Sequence, residues 1–400
     1  MPPVAAMMAK PLREIVAEAR TLAGEDDPLE AETFASELAG MAWAIPLIDG
    51  DMEAQFGKAL LQAARRDGGP GAVALLLALA AVQPSWAKHA TTDARQLMAQ
   101  GVPAPAWAAA IGRPRFTGAW LGVEPYGDQD VLLLAFEYAG RPGHSLQVLI
   151  DNNLDGMAKD IHPMDDAEGV LDSWREEMPE LKFLTVDAET AARRLAWALQ
   201  VSDEYGPDGP MNEDFRDWRA LARSRLRLLP AVRPAPLREP LDEPARQAVE
   251  AAFFSSPEGS TVAHLDQARL IVSRLVDYRC DYGDGDPLRW SPATVEGCLC
   301  DWYPAKVLAE DAEIPQVPDV LRAWVNYAGR SRGLAAEAIQ ETLDVIRECV
   351  PEFVDAMADP EACSPAKTLL LEMQRDGVDV TSPTAVRRWT NAFNEQLNPF

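Results

Sequence analysis

Histidine is scarce in this chain: four residues in 400, at His89, His144, His162 and His264. A Ser-His-Asp or Cys-His triad would have to be assembled from these, and none has a recognisable catalytic neighbourhood. The nucleophile elbow G-x-S-x-G, the P-loop, a G-x-G-x-x-G following a strand, and H-E-x-x-H are also missing. Their absence removes the hydrolases, nucleotide-binding folds and zinc proteases that carry such signatures from the first rank of expectations. Cysteine is confined to the last third, at Cys280, Cys298, Cys300, Cys349 and Cys363. An odd number at irregular spacing excludes a disulfide framework and fits a reducing cytoplasm.

Long apolar runs are lacking as well. The longest, Ala72 to Val82, has about half of the roughly 20 residues that a membrane-spanning helix needs. MPPVAAMMAKPLRE at the N-terminus has no basic stretch before its short apolar run, so no signal peptide is expected. Positive charge is deficient. A formal net charge of −26 repels phosphate backbones and anionic membrane faces, so nonspecific nucleic-acid or membrane binding is disfavoured. Lysine is rare, 7 residues against 30 arginines. With abundant alanine and proline, that bias reads as the product of a GC-rich bacterial genome.

What is present describes a globular chain, 48% hydrophobic and 25% charged, long enough for two or three cores. Residues 1–112 read as an all-helical domain. Phe34, Leu38, Met41 and Ala42 give a helical stripe within Glu30 to Ala44, and Ala72 to Val82 is apolar on every side, as a helix inside a bundle would be. Residues 113–229 change pattern. Phe116 to Val123, Val131 to Tyr138 and Leu146 to Ile150 are short runs rich in β-branched and aromatic residues, separated by the turn-forming PYGDQD and AGRPG. They predict a three-strand antiparallel meander, with a helix over Asp165 to Met178, a fourth strand at Leu181 to Val186 and a helix over Glu189 to Leu199. Residues 230–244, beginning PAVRPAPLREP, predict an extended proline-rich linker. Residues 245–400 read as helical throughout, with Ser291, Ser364 and Ser382 each placed before a proline as helix caps and a break between Val350 and Phe353. The fold class expected is therefore α+β: mostly helical, a central antiparallel meander with helices, flanked by helical regions at both ends.

Four stretches could carry chemistry. In LQVLIDNNLDGMAKDI, Asp151, Asp155, Lys159 and Asp160 lie just past a strand end. Paired carboxylates beside a lysine could hold a divalent cation and stabilise developing negative charge, as in metal-assisted phosphoryl hydrolysis. Asn, Asp and Gly are equally the residues that turn a chain, because their short side chains bond the local backbone. Over Asn212 to Leu229, the residues Arg216, Arg219, Arg223 and Arg227 fall at offsets of three, four and four, which puts four guanidinium groups on one helix face. Such a stripe can bind phosphates or an acidic partner, or be neutralised by neighbouring carboxylates. Asp281, Asp284 and Asp286 in CDYGDGDP lack the register of an EF-hand and predict a loop with aspartate caps. On an α-helix the thiols of Cys298 and Cys300 would point about 200° apart, which suits buried free cysteines better than a metal site.

Two spans, GAWLGVEPYGDQDVLLLAFEY through VLIDNNLDGMAKDI to FRDWRALARSRLRLLP, and GDPLRWSPATVEGCLCDWYPAKV with VPDVLRAWVNYAGRSRGL, resemble a family of uncharacterised actinobacterial hypothetical proteins. The resemblance implies a bacterial cytosolic protein and carries over no catalytic assignment.

The reading that follows is a cytosolic protein that binds a partner or small ligand without catalysis, with a protein partner expected. Its alternatives are a carboxylate- and metal-dependent hydrolase or nuclease centred on 151–160, and a nucleic-acid regulator using the arginine face of 216–227. No cofactor is expected beyond the divalent cation that the first alternative requires.

Overall fold

The computed structural model describes residues 9–44, 52–236, 239 and 241–397. It is α+β and mostly helical, and it divides into two compact units, Met1–Leu237 and Arg238–Phe400. That division falls inside the proline-rich stretch 230–244. No unit boundary lies at 112–113, where the helical domain is expected to end; residues 1–112 keep an apolar cluster of their own and are tied to the sheet region by a buried ionic contact described below.

Unit 1 begins with α1 (Ala9–Glu18), α2 (Pro28–Trp43), α3 (Met52–Asp67), α4 (Pro70–Val82) and α5 (Pro84–Ala99). The start of α2 follows from its sequence: the Asp27 side chain accepts from the Leu29 N–H, and Pro28 stands where a missing N–H costs nothing. Helix α4 is enclosed, with Ala72 through Leu76 at 0% exposure.

The sheet has five strands in the order β4-β3-β2-β1-β5, every neighbouring pair antiparallel. They are β1 (Arg115–Val123), β2 (Gln129–Glu137), β3 (Gly143–Asp151), β4 (Met157–Met164) and β5 (Lys182–Val186). Helix α6 (Ala167–Glu177) lies between β4 and β5, and α7 (Ala188–Tyr205) and α8 (Phe215–Leu226) follow β5. Both faces are covered. Leu132, Leu134 and Phe136 of β2 pack with Leu195, Leu199 and Leu221 of α7 and α8, while Leu133 and Ala135 pack with Leu171 and Trp174 of α6. A central strand buried on both sides has no polar alternation, which is why β2 reads as the continuous run VLLLAF. Strand β4 escapes a pattern search because Lys159, Asp160, His162 and Pro163 interrupt its buried apolar residues Met157, Ala158 and Ile161. Its place at the sheet edge tolerates a residue without an N–H.

The helical region and the sheet are joined through α2 and α8. Gly40 sits at their closest approach, where a Cβ would lie 2.2 Å from the Arg216 carbonyl oxygen. Ser36 Oγ donates to the Asp217 carbonyl at 2.6 Å and accepts from the Leu221 N–H at 2.9 Å. Beneath them Glu32 Oε2 meets Arg225 Nη2 at 2.6 Å, with side-chain exposures of 0% and 1%. Glu32 Oε1 accepts from the Gly112 N–H at 2.6 Å, at the threshold of the sheet region. Arg225 also reaches His144 Nε2 at 3.1 Å and the Tyr138 hydroxyl at 3.4 Å. A charge pair of this kind ties residues 1–112 to residues 113–229 although each region has its own apolar cluster, because neither half can expose its charge without leaving the other buried and unpaired.

Unit 2 is helical among its described residues: α9 (Glu243–Phe254), α10 (Pro257–Val262), α11 (Ala268–Asp281), α12 (Pro292–Glu296), α13 (Tyr303–Lys306), α14 (Val317–Arg332), α15 (Ala336–Ala358), α16 (Pro365–Arg375) and α17 (Pro383–Leu397). Ser291, Ser364 and Ser382 accept from the N–H groups of Thr294, Lys367 and Ala385. Two expectations need correction. A π-helical stretch, Gly297–Trp302, interrupts the helix expected over 293–303. The helix expected to break before Phe353 instead runs through Pro351, because Ile346, Cys349 and Phe353 on one face are all held in the core.

Two outcomes are expected. Arg225→Met leaves Glu32 buried without its cation and lowers stability by about 3–5 kcal/mol in urea unfolding, while E32L/R225M regains part of that loss. Burial, aided by the Arg225 charge, holds the His144 pKa down to about 3 from the ordinary 6.5. The unfolded chain therefore takes up a proton at His144 that the native state refuses. The stability present above pH 6.5 is lost as pH falls toward about 3, with a slope near ~1.4 kcal/mol per pH unit that His144→Gln removes.

Candidate functional site

The expected 151–160 loop is shorter than its sequence suggests: residues 152–156 connect β3 to β4, Asp151 ends β3, and Lys159 and Asp160 lie within β4. Residues Asn152–Leu154 form one 3-10 turn, and the Asp151 carboxylate caps it by accepting from the Asn153 N–H at 2.9 Å. The other Asp151 oxygen meets Lys159 Nζ at 3.2 Å. Asp155 closes the turn in the left-handed region, φ 56°, and its carbonyl accepts from Trp197 Nε1 at 2.7 Å. Asp160 bonds elsewhere: one oxygen accepts from the Ile161 N–H, the other from Asn212 Nδ2 at 2.7 Å, with His162 Nε2 at 3.1 Å. The structure thus brings Asp151 to Lys159 and turns Asp160 toward α8's approach. Asn152 Nδ2, donating to Gly127 and Asp130, ties the turn to the neighbouring hairpin. Among the described residues no three His, Cys, Asp or Glu side chains are grouped as metal ligands would be.

The acidic loop of unit 2 is braced by arginines. Asp284 joins Arg279 and Arg289, whose side chains are 2% and 1% exposed, and Asp286 joins Arg332. Asp281 pairs with Arg246. Burial pushes the Cys298 thiol above its ordinary pKa, so it is protonated and unreactive at neutral pH.

The four arginines of α8's stripe share a face, but they do not form a row open to solvent. Arg216 pairs with Asp217 at the exposed end. Arg219 reaches Asp203 of α7 twice, through Nη2 at 2.6 Å and Nε at 2.7 Å, and lies 4.7 Å over the Trp43 ring. Arg223 takes the second oxygen of the same Asp203. Arg227, just past the helix end, donates to the Ala81 carbonyl at 2.7 Å. Burial lowers the pKa of Arg219, Arg223 and Arg227, and the nearby Glu53 opposes this at Arg219 and Arg223, as Glu32 does at Arg227.

Beside Arg223 lies a cavity of about 300 Å³, the size at which small-ligand pockets begin. Ala196, Gln200 and Asp203 line it from one face of α7, three and four residues apart, and Arg223 and Leu226 line it from α8. Its remaining wall is the chain after α8, where Pro230, Ala231, Val232 and Pro234 line it. The prolines hold this stretch extended, so it crosses the gap between the helices without filling it. One pole of the cavity is therefore polar, carrying a cation, a carboxylate and an amide, and the rest is apolar. None of its lining side chains is Ser, Thr, Cys, His, Lys or Tyr.

The arginine stripe marks this site in the sequence, but Asp203, Gln200 and the proline wall do not announce themselves. The signal for Asp203 was the apolar period of Ala192, Leu195 and Leu199, which continues through the buried Ser202 and takes α7 to Tyr205, past the expected end at Leu199. Compared with known protein families, curated proteins and solved structures, the chain has no match.

The left-handed turn position is testable. Asp155→Gly should leave thermal stability within about 1 kcal/mol, while Asp155→Val should cost about 1–2 kcal/mol, since a β-branched side chain resists φ near 56°.

Proposed function

We propose that this chain is a noncatalytic binding protein whose sheet-bearing unit holds a small ligand in the cavity beside Arg223. The observation that carries the reading is the cavity's division into a polar pole, Gln200, Asp203 and Arg223, and an apolar wall from Leu226 to Pro234. A few convergent polar groups on an apolar ground are what orient a small molecule. The lining's one carboxylate, Asp203, is held in ion pairs by Arg219 and Arg223, which favours recognition over attack on a substrate. Its wall is the non-helical stretch that leads out of unit 1, so occupancy would stiffen that segment and give a partner protein something to read. A bacterial cytoplasm suits the reading, because the five cysteines are all free thiols.

The acidic groups of 151–160 favour a structural role over hydrolysis: Asp151 caps a turn and pairs with Lys159, and Asp160 bonds to Asn212. The arginine face likewise favours an internal role, since Arg219 and Arg223 share Asp203.

Thermal unfolding of the full chain against a panel of amino acids, carboxylates, sugars and nucleosides at millimolar concentration tests this. At least one class should raise the unfolding midpoint, since a ligand at about 100 times its Kd adds ~2.7 kcal/mol. Ala231→Trp, which fills the cavity from its exposed rim, should abolish the rise. A panel in which no class stabilises the native chain, or a rise that survives Ala231→Trp, overturns the reading.

A further inference from the structure

We propose that the ligand is a free apolar α-amino acid in its zwitterionic form, an inference that rests on the cavity being a ligand site. The polar pole carries charges of both signs in balance. The cavity lining carries one cation, Arg223, and one carboxylate, Asp203, in contact with each other. A ligand with net charge would unbalance a partly buried site, which is costly; a ligand with one positive and one negative group leaves it neutral. The overall charge of −26 also repels simple anions from the surface, and it does not act on the net charge of a zwitterion.

The spacing narrows the class further. Arg223 and Asp203 are in direct ionic contact, so the two charges that replace that contact must themselves be adjacent. The ammonium and carboxylate of an α-amino acid sit on one carbon and meet this condition, whereas the separated charges of a longer zwitterion do not. The exchange is conservative. The ligand carboxylate takes the planar fork of Arg223 and the ligand ammonium takes the Asp203 oxygen released, and one ion pair becomes two.

Asp203 keeps its place during the exchange, because Arg219 holds its other oxygen by two contacts and is itself fixed over Trp43. The side chains of Arg223 and Asp203 are 33% and 30% exposed, so both are open to a ligand, whereas Arg219 at 15% is the anchor. The Gln200 amide lies one helical turn before Asp203 on the same wall and adds a neutral hydrogen-bonding group.

The ligand's side chain meets Ala196, Leu226, Val232 and the two proline rings. That wall has no charged partner for an acidic or basic side chain, so burial there selects valine-, leucine-, methionine- or phenylalanine-like groups. The cavity of about 300 Å³ admits any of these with its backbone groups.

Isothermal titration of the full chain with L-leucine, N-acetyl-L-leucine, L-leucinamide and isoamyl alcohol tests the assignment. L-Leucine should bind, and loss of either charge should weaken binding by at least about tenfold, equivalent to ~1.4 kcal/mol. Arg223→Gln should bring L-leucine down to the level of L-leucinamide, and Ala231→Trp, which leaves the charged groups in place, should abolish binding. L-Lysine and L-glutamate should bind at least about tenfold more weakly than L-leucine. If all four leucine-like compounds bind alike and Ala231→Trp blocks them, the zwitterion assignment falls and the cavity reading stands. If none binds and the wider panel also fails to stabilise the chain, both fall.

Discussion

The buried pair of Glu32 and Arg225 is the contact on which unit 1 depends. Each charge on its own would be too costly to enclose. Together, with the Gly112 N–H on one carboxylate oxygen and His144 and Tyr138 beside the guanidinium, they are enclosed and bonded. The pair fixes α2 against α8, and α8 in turn covers the sheet. It also sets the registry of the stripe: with Arg225 inside, Arg219 and Arg223 come round to face α7, where Asp203 receives both.

The same economy of arginine recurs in unit 2, where Arg279 and Arg289 enclose Asp284 and Arg274 reaches the fully buried Glu313. A guanidinium suits these positions better than an ammonium, because its planar fork serves two acceptors at once and is less strongly hydrated. Arg225, Arg279 and Arg289 are thereby held inside by carboxylates. A net charge of −26 repels polyanions.

The cavity is a product of chain punctuation. Helices α7 and α8 meet at Asp203 and both line the cavity, whose remaining side a third helix or strand could have closed with a row of side chains. A proline-bearing stretch does not, since it has neither the helix periodicity nor the N–H groups to pack as a helix or pair as a strand. What was legible as a linker is in its first residues a wall of the candidate site.

Much of the fold was legible in the sequence. The period of α2, the all-apolar α4, the three strands of the meander, the Ser-Pro caps and the α+β class all follow from local spacing, because backbone geometry alone decides which residues share a face. The guanidinium stripe was legible for the same reason. What local pattern could not supply is which groups meet across the chain. Glu32 and Arg225 are 193 residues apart, Asp203 lies beyond the apparent end of its helix, and β4 admits Lys159, Asp160 and Pro163 because it is an edge strand. The sequence by itself determined the elements and the supply of charge; only the tertiary structure decided that α2 is tied to α8 through Glu32 and Arg225 and that the stripe faces inward. A charge is read from one position, but its partner is chosen by the cost of burying it alone.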